Sequence, residues 1–260
     1  VVAQPSCPEL RVRSLRLRSM CAVVLTVVCA SCSASADTPA AIWDSFTGPD
    51  GLIVSEDHPV ADGSPWTTTS GSLFRQGDEG WTGRPDGGGA DGPTGSAVFR
   101  MLSNERGFAD VDVTMRLRVD GLVETDRTPA QDFDGAHLWL RYESEWQLYA
   151  VSVDRRDGEM VIKKKCPGGV SNGGTYFDLG SVVTGVAIPL GRWQHVAASV
   201  RDRPDGTVVI TADRDGARVE AVDQGVGCAP LRGAGGVGLR GDNAELRFDD
   251  IAVESATPVT

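Results

Sequence analysis

Gly191-Arg192-Trp193-Gln194-His195-Val196 opens the stretch that decides the fold, and it continues to Val253 as short apolar-alternating runs. The runs are punctuated by Asp205-Gly206, Asp215-Gly216 and Gly241-Asp242-Asn243. An Asp-Gly pair supplies the positive-φ positions of a tight hairpin, and a period of two marks a strand with one face buried. This stretch predicts antiparallel strands. No catalytic motif lies inside it, so it speaks to architecture and not to chemistry.

The pattern extends toward the amino terminus. Val111, Val113, Met115, Leu117 and Val119 alternate with Asp112, Thr114, Arg116 and Arg118, as a half-buried strand requires. Further strands are expected over 42–46, 97–102, 137–142, 147–153 and 159–165, the last three as a meander with Asp157-Gly158 between the second and third. Helical periodicity is not sustained anywhere, and no internal repeat is visible. The fold class read from these residues is all-β, a two-sheet antiparallel β-sandwich. Arg84 to Gly95, nearly all Gly, Pro, Asp and Thr, reads as a mobile loop.

Gly191 to Val196, Val208-Val209-Ile210, Asp213 to Gly216, Gly236 to Gly241 and Phe248 to Val253 together resemble the carboxyl-terminal half of a concanavalin A-like lectin/glucanase domain of the laminin-G type. Trp43-Asp44-Ser45-Phe46 and Gly71-Ser72-Leu73 resemble its first strands, so the resemblance covers most of the chain after residue 40. It implies a jelly roll with glycans lying along one concave sheet. The superfamily includes lectins, binding modules, glycoside hydrolases and polysaccharide lyases, so it implies a fold more sharply than an activity.

Residues 1–36 stand apart. Arg11, Arg13, Arg16 and Arg18 precede an apolar run from Cys21 to Cys29, followed by Ala34-Ser35-Ala36, the basic, apolar and small-residue order of an export signal. The run is too short for a membrane span, which needs about 20 residues. Cleavage after Ala36 would release a soluble, secreted protein. Cys29-Ala30-Ser31-Cys32 also resembles a lipoprotein box, in which Cys32 would carry the lipid and tether the protein to the cell surface. Residues 37–260 have a length that suits one large sandwich domain. The net charge of −11 disfavours nucleic acid, and an acidic ligand would need a local basic groove. Cys166 and Cys228, both in glycine-rich surroundings, are expected to form a disulfide in an oxidising compartment.

Candidate chemistry centres on His137-Leu138-Trp139-Leu140-Arg141-Tyr142. With both leucines on one face, His137, Trp139 and Arg141 are expected on the other, where an aromatic plane stacks on a sugar ring while Arg and His bond its polar groups. Arg116 and Arg118 could extend such a groove, and Tyr149 is a further candidate. The alternative is a solvated outer face with Trp139 packed under a loop. A polysaccharide or glycoconjugate is the expected partner; a protein ligand for an adhesion module remains open. If the protein were a lyase, His137, Arg141 and Tyr149 would have to neutralise a uronate and move its proton. The glucanases of the resembled superfamily carry Glu-x-Asp-x-Glu on one strand; Glu143-Ser144-Glu145 is the nearest approach here, and it reads as a turn. Lys163-Lys164-Lys165 reads as a solvated strand edge. No organic cofactor is expected. A structural calcium joining the first strand to the last would draw on Asp44, Asp249 and Asp250, which otherwise are surface acids of an acidic protein.

Overall fold

The computed structural model describes residues 41–59, 61, 63–85 and 94–256, which fall within one compact unit, Thr38–Thr260. The export segment with Cys32, and positions 86–93 of the Gly/Pro-rich stretch, lie outside the described residues. Every regular element among the described residues is a strand. In chain order these are β1 (Ala41–Asp44), β2 (Gly51–Ser55), β3 (Trp66–Ser70), β4 (Ser72–Arg75), β5 (Gly80–Trp81), β6 (Arg84–Pro85), β7 (Thr94–Gly95), β8 (Val98–Ser103) and β9 (Val111–Leu122). They continue with β10 (Gly135–Ser144), β11 (Gln147–Arg155), β12 (Met160–Ser171), β13 (Gly174–Val183), β14 (Gln194–Asp202), β15 (Val208–Arg214), β16 (Ala217–Asp223), β17 (Gly236–Asp242) and β18 (Ala244–Ser255).

Two antiparallel sheets carry the fold. The nine-stranded sheet runs β16-β15-β14-β9-β18-β5-β4-β2, with β1 paired to β18. The seven-stranded sheet runs β13-β12-β11-β10-β17-β8-β3, and β6 and β7 form a separate parallel pair. The first strand is joined to the last by backbone register, Ala41 facing Glu254 and Asp44 facing Ile251. The expected sandwich is therefore observed.

Local chemistry explains the elements. In β9 every second residue from Val111 to Val119 is buried and the intervening ones are half-exposed, as the alternation requires. Asp215 and Gly216 both take positive φ, 50° and 89°, so the two-residue connection between Arg214 and Ala217 has the backbone sign of a type I′ hairpin. Gly241-Asp242-Asn243 differs from expectation. β17 and β18 lie in different sheets, and Asn243 at φ 46° turns the chain from one layer into the other. Its side chain donates to Asp134 Oδ1 at 3.1 Å.

The interlayer core joins Val113, Leu117, Val196, Val200 and Phe248 of one sheet to Leu138, Leu140, Val151, Val153 and Leu239 of the other. Each such side chain contributes on the order of 1.5–3 kcal/mol by leaving water. Ion pairs link the two layers beside this core: Lys164 of β12 with Asp223 of β16 and Arg214 of β15 with Asp154 of β11, both buried, and buried Arg141 of β10 with partly exposed Asp202 of β14. Lys163 to Lys165 are thus not a solvated edge. β12 is covered by β13, Lys163 and Lys165 point outward, and Lys164 points between the sheets. Cys166 and Cys228 form the expected disulfide.

Candidate binding depression

β10 runs through the middle of the seven-stranded sheet, and its register decides which side chains reach the outer face. His137 faces Ser152 of β11 and Arg240 of β17; Trp139 faces Ala150 and Gly238. The ladder then breaks. Arg141 takes φ 49°, and pairing resumes at Tyr142 opposite Gly236 and Ser144 opposite Gln147. A bulge inserts a residue and reverses the alternation, so Tyr142 follows Trp139 on the outer face. Their rings stack at 5.4 Å and 16°.

Around this row lies a depression of about 370 Å³. Its lining combines Trp139, Tyr176 and Phe133 with His137, Ser152, Arg155, Lys163, Arg240 and Asp242, and is completed by Asp132, Ala150 and Ser171. Leu102, Trp139, Tyr142, Leu148 and Ala150 form a small apolar cluster beneath it, separate from the interlayer core. Phe133 is 43% exposed, whereas Trp139 is only 2% exposed, with its Nε1 buried and without an acceptor among the described residues. The accessible aromatic surface therefore comes from Phe133 and half-buried Tyr176 more than from the tryptophan.

A polar chain crosses the floor. Arg240 grips Asp242 with two bonds, Nε to Oδ2 at 2.6 Å and Nη2 to Oδ1 at 2.7 Å, and its Nη1 lies 3.4 Å from the Tyr176 hydroxyl. Asp242 Oδ2 lies 3.3 Å from His137 Nε2, a close contact off the hydrogen-bond axis, and His137 Nδ1 lies 2.7 Å from Ser152 Oγ. Burial alone would raise the Asp242 carboxyl, but the Arg240 guanidinium, helped by His137, holds it well below the usual carboxylate range. At the rim, Arg155 pairs with Asp157, and Lys163 lies 2.9 Å from Asp178.

Other expected site residues stand elsewhere. Arg141 does not project beside Trp139: the bulge turns it inward, its side chain 2% exposed. There it donates to Asp110 at 3.0 Å, Asp202 at 2.5 Å and the Leu231 carbonyl at 2.7 Å. Tyr149 pairs with Leu140 and points into the interlayer core, donating to Asp223 Oδ2 at 2.7 Å and accepting from Leu231 N at 2.9 Å. The lyase set of His137, Arg141 and Tyr149 is therefore not brought together. Arg116 and Arg118 lie on the outer face of the opposite, nine-stranded sheet, flanking the Trp193 ring at 4.4 and 4.8 Å, and cannot extend this depression. Glu143 and Glu145 sit at the β10–β11 turn, engaged with Gln147 and Arg100.

Nor do the three aspartates converge on a cation. Asp44 accepts from Phe46 N and Trp66 Nε1, both at 2.8 Å, and Asp249 pairs with Arg116 at 3.1 Å. No group of three or more metal-capable side chains occurs among the described residues. The joining of first and last strands that calcium was expected to perform is made by backbone pairing.

Phe133, Ser152, Tyr176, Arg240 and Asp242 were not nominated by sequence reasoning. Register counting along the β10–β11 hairpin does not find Ser152. Counting back in unbroken register from Ser144 opposite Gln147 would set Asp154 opposite His137, and the bulge sets Ser152 there instead.

Neither a protein-family model nor a curated protein matches the chain. Solved structures do. The carbohydrate-binding module CBM66 from Bacillus subtilis matches 75% of this chain and 99% of its own at 15% identity, with a TM-score of 0.50. The β-glucanase of Bacillus licheniformis matches 84% of this chain and 98% of its own at 9% identity and a TM-score of 0.49. At 15% identity the likeness to the carbohydrate-binding module is one of fold alone: a two-sheet antiparallel β-sandwich of jelly-roll type.

Proposed function

We propose that the protein is an exported carbohydrate-binding sandwich that holds a polysaccharide or glycoconjugate in the depression on the outer face of the seven-stranded sheet. The observation that carries this reading is the lining: Phe133 and Tyr176 offer aromatic surface beside Arg155, Lys163, Arg240 and His137. Concave sites that mix aromatic faces with a few placed polar groups suit a ligand that is apolar on its ring faces and polar at its edges. The shared fold of a carbohydrate-binding module supports the same class of partner. Export rests on the Arg11 to Ala36 pattern, with a Cys166–Cys228 bridge suited to an oxidising compartment. Mass measurement of the mature amino terminus separates cleavage after Ala36 from lipidation at Cys32.

The test is retention on a panel of immobilised polysaccharides. Phe133→Ala is expected to weaken retention about tenfold, roughly 1.4 kcal/mol, with little change in stability, because the residue is exposed and outside the interlayer core. A folded Phe133→Ala/Tyr176→Leu protein that binds as tightly as the parent would remove the depression from the proposal.

A further inference from the structure

The polar chain on the floor of the depression exceeds what holding a sugar requires. Ser152 on β11, His137 on β10 and Asp242 on β17 come from three neighbouring strands, and all three line the same depression. The imidazole lies between the other two groups, Nδ1 at 2.7 Å from Ser152 Oγ and Nε2 at 3.3 Å from Asp242 Oδ2, the second contact off the hydrogen-bond axis. In the tautomer that carries its proton on Nε2, Nδ1 accepts from the Ser152 hydroxyl. The two bonds from Arg240 fix the Asp242 carboxylate from behind. Hydroxyl, imidazole and carboxylate in this order are recognised by geometry and role rather than by position in the chain. Trp139, whose buried Nε1 lacks an acceptor among the described residues, lines the same depression.

We infer that Ser152 is a nucleophile toward acyl esters, with His137 as its base and Asp242, held by Arg240, positioning the imidazole. The substrate class is an O-acyl ester carried by a glycan, and that choice of alcohol rests on the carbohydrate reading above. Ser152 Oγ bonds to the ester carbonyl carbon as its proton passes to His137 Nδ1. The carbonyl-to-sugar C–O bond breaks, and the sugar oxygen leaves with that proton. Water then attacks the acyl-Ser152 carbonyl, giving a proton to His137, which returns it to Ser152 Oγ as the carboxylic acid departs. Ester and water become alcohol and acid, with nothing oxidised or reduced.

The test treats the full chain with an alkyl fluorophosphonate, maps the adduct by peptide mass, and follows hydrolysis of p-nitrophenyl acetate. The expected result is phosphonylation at Ser152, abolished in Ser152→Ala together with esterolysis, and slowed at least about a hundredfold in His137→Gln. Asp242→Asn, a positioning change, should shift the pH profile of labelling. Unmodified Ser152 on the folded parent, under conditions that fully label a reference serine hydrolase, overturns the inference, as does parental esterolysis in folded Ser152→Ala. Glycan retention is measured on the same preparations. Retention without labelling removes ester cleavage and leaves carbohydrate binding; labelling without retention leaves the nucleophile and removes the glycan.

Discussion

Lys164 Nζ lies 2.8 Å from Asp223 Oδ1 with neither side chain exposed, so this ion pair, one of three between the layers among the described residues, bridges the two sheets from inside the sandwich. The ammonium is completed by the Cys228 carbonyl at 2.6 Å, and the carboxylate by Tyr149 Oη and Gly225 N. A fully buried pair persists only when its remaining donors and acceptors are met in this way. Lys164→Met strands the Asp223 charge and should cost about 3–5 kcal/mol in denaturant melts. Lys164→Met/Asp223→Leu should recover part of that loss. A single variant with the parent's midpoint would show that the pair does not hold the sheets.

Arg141 follows the same logic at another point between the layers. Arg141→Met removes bonds to Asp110, Asp202 and two backbone carbonyls, and is expected to lower stability by about 3–5 kcal/mol. Retention of the folded variant on glycan should match the parent, because the guanidinium lies off the depression. Loss of retention at parental stability would return Arg141 to the binding site.

These two residues show where sequence reading reached its limit. The alternation of Val111 to Val119 reports burial directly, because a regular strand exposes every second side chain, and it was legible. Arg141 and Tyr142 were not, because a bulge at a non-glycine residue leaves no compositional mark while reversing every face that follows. A lysine run carries the same charge whether its middle member meets water or Asp223, so Lys164 read as solvated. Phe133 is one aromatic in a polar loop, with no periodicity to announce it. The sandwich was legible because it rests on many repeated, redundant positions. The depression rests on register between β10, β11 and β17, which the sequence encodes only through pairing.

The disulfide closes a loop of sequence separation 62 between Cys166 in β12 and Cys228 before β17. In the chain-entropy account a loop of this size contributes about 4 kcal/mol. Equilibrium unfolding with and without reductant should differ by that order, and Cys166→Ala/Cys228→Ala should match the reduced parent. Equal midpoints would mean that the oxidised bond adds nothing to the native state.

Lys165 gives a pH dependence whose sign can be worked out. Burial pushes its amine down to about 8, repulsion from Arg240 and Arg100 adds to the effect, and Glu145 opposes it. An unfolded lysine titrates near ~10.4. Below about 8 both states hold the proton, and the cost of burying the charge is fully present. Between about 8 and ~10.4 the unfolded chain binds a proton that the native chain has released, so native stability gains as pH rises through that window. Other groups titrate there too, and Lys165→Met isolates the effect: the parent's stability relative to the variant should increase from about pH 7 to about pH 10 in stepwise urea melts. A difference that stays constant with pH would mean that Lys165 keeps an ordinary lysine's affinity for its proton despite its burial beside Tyr176.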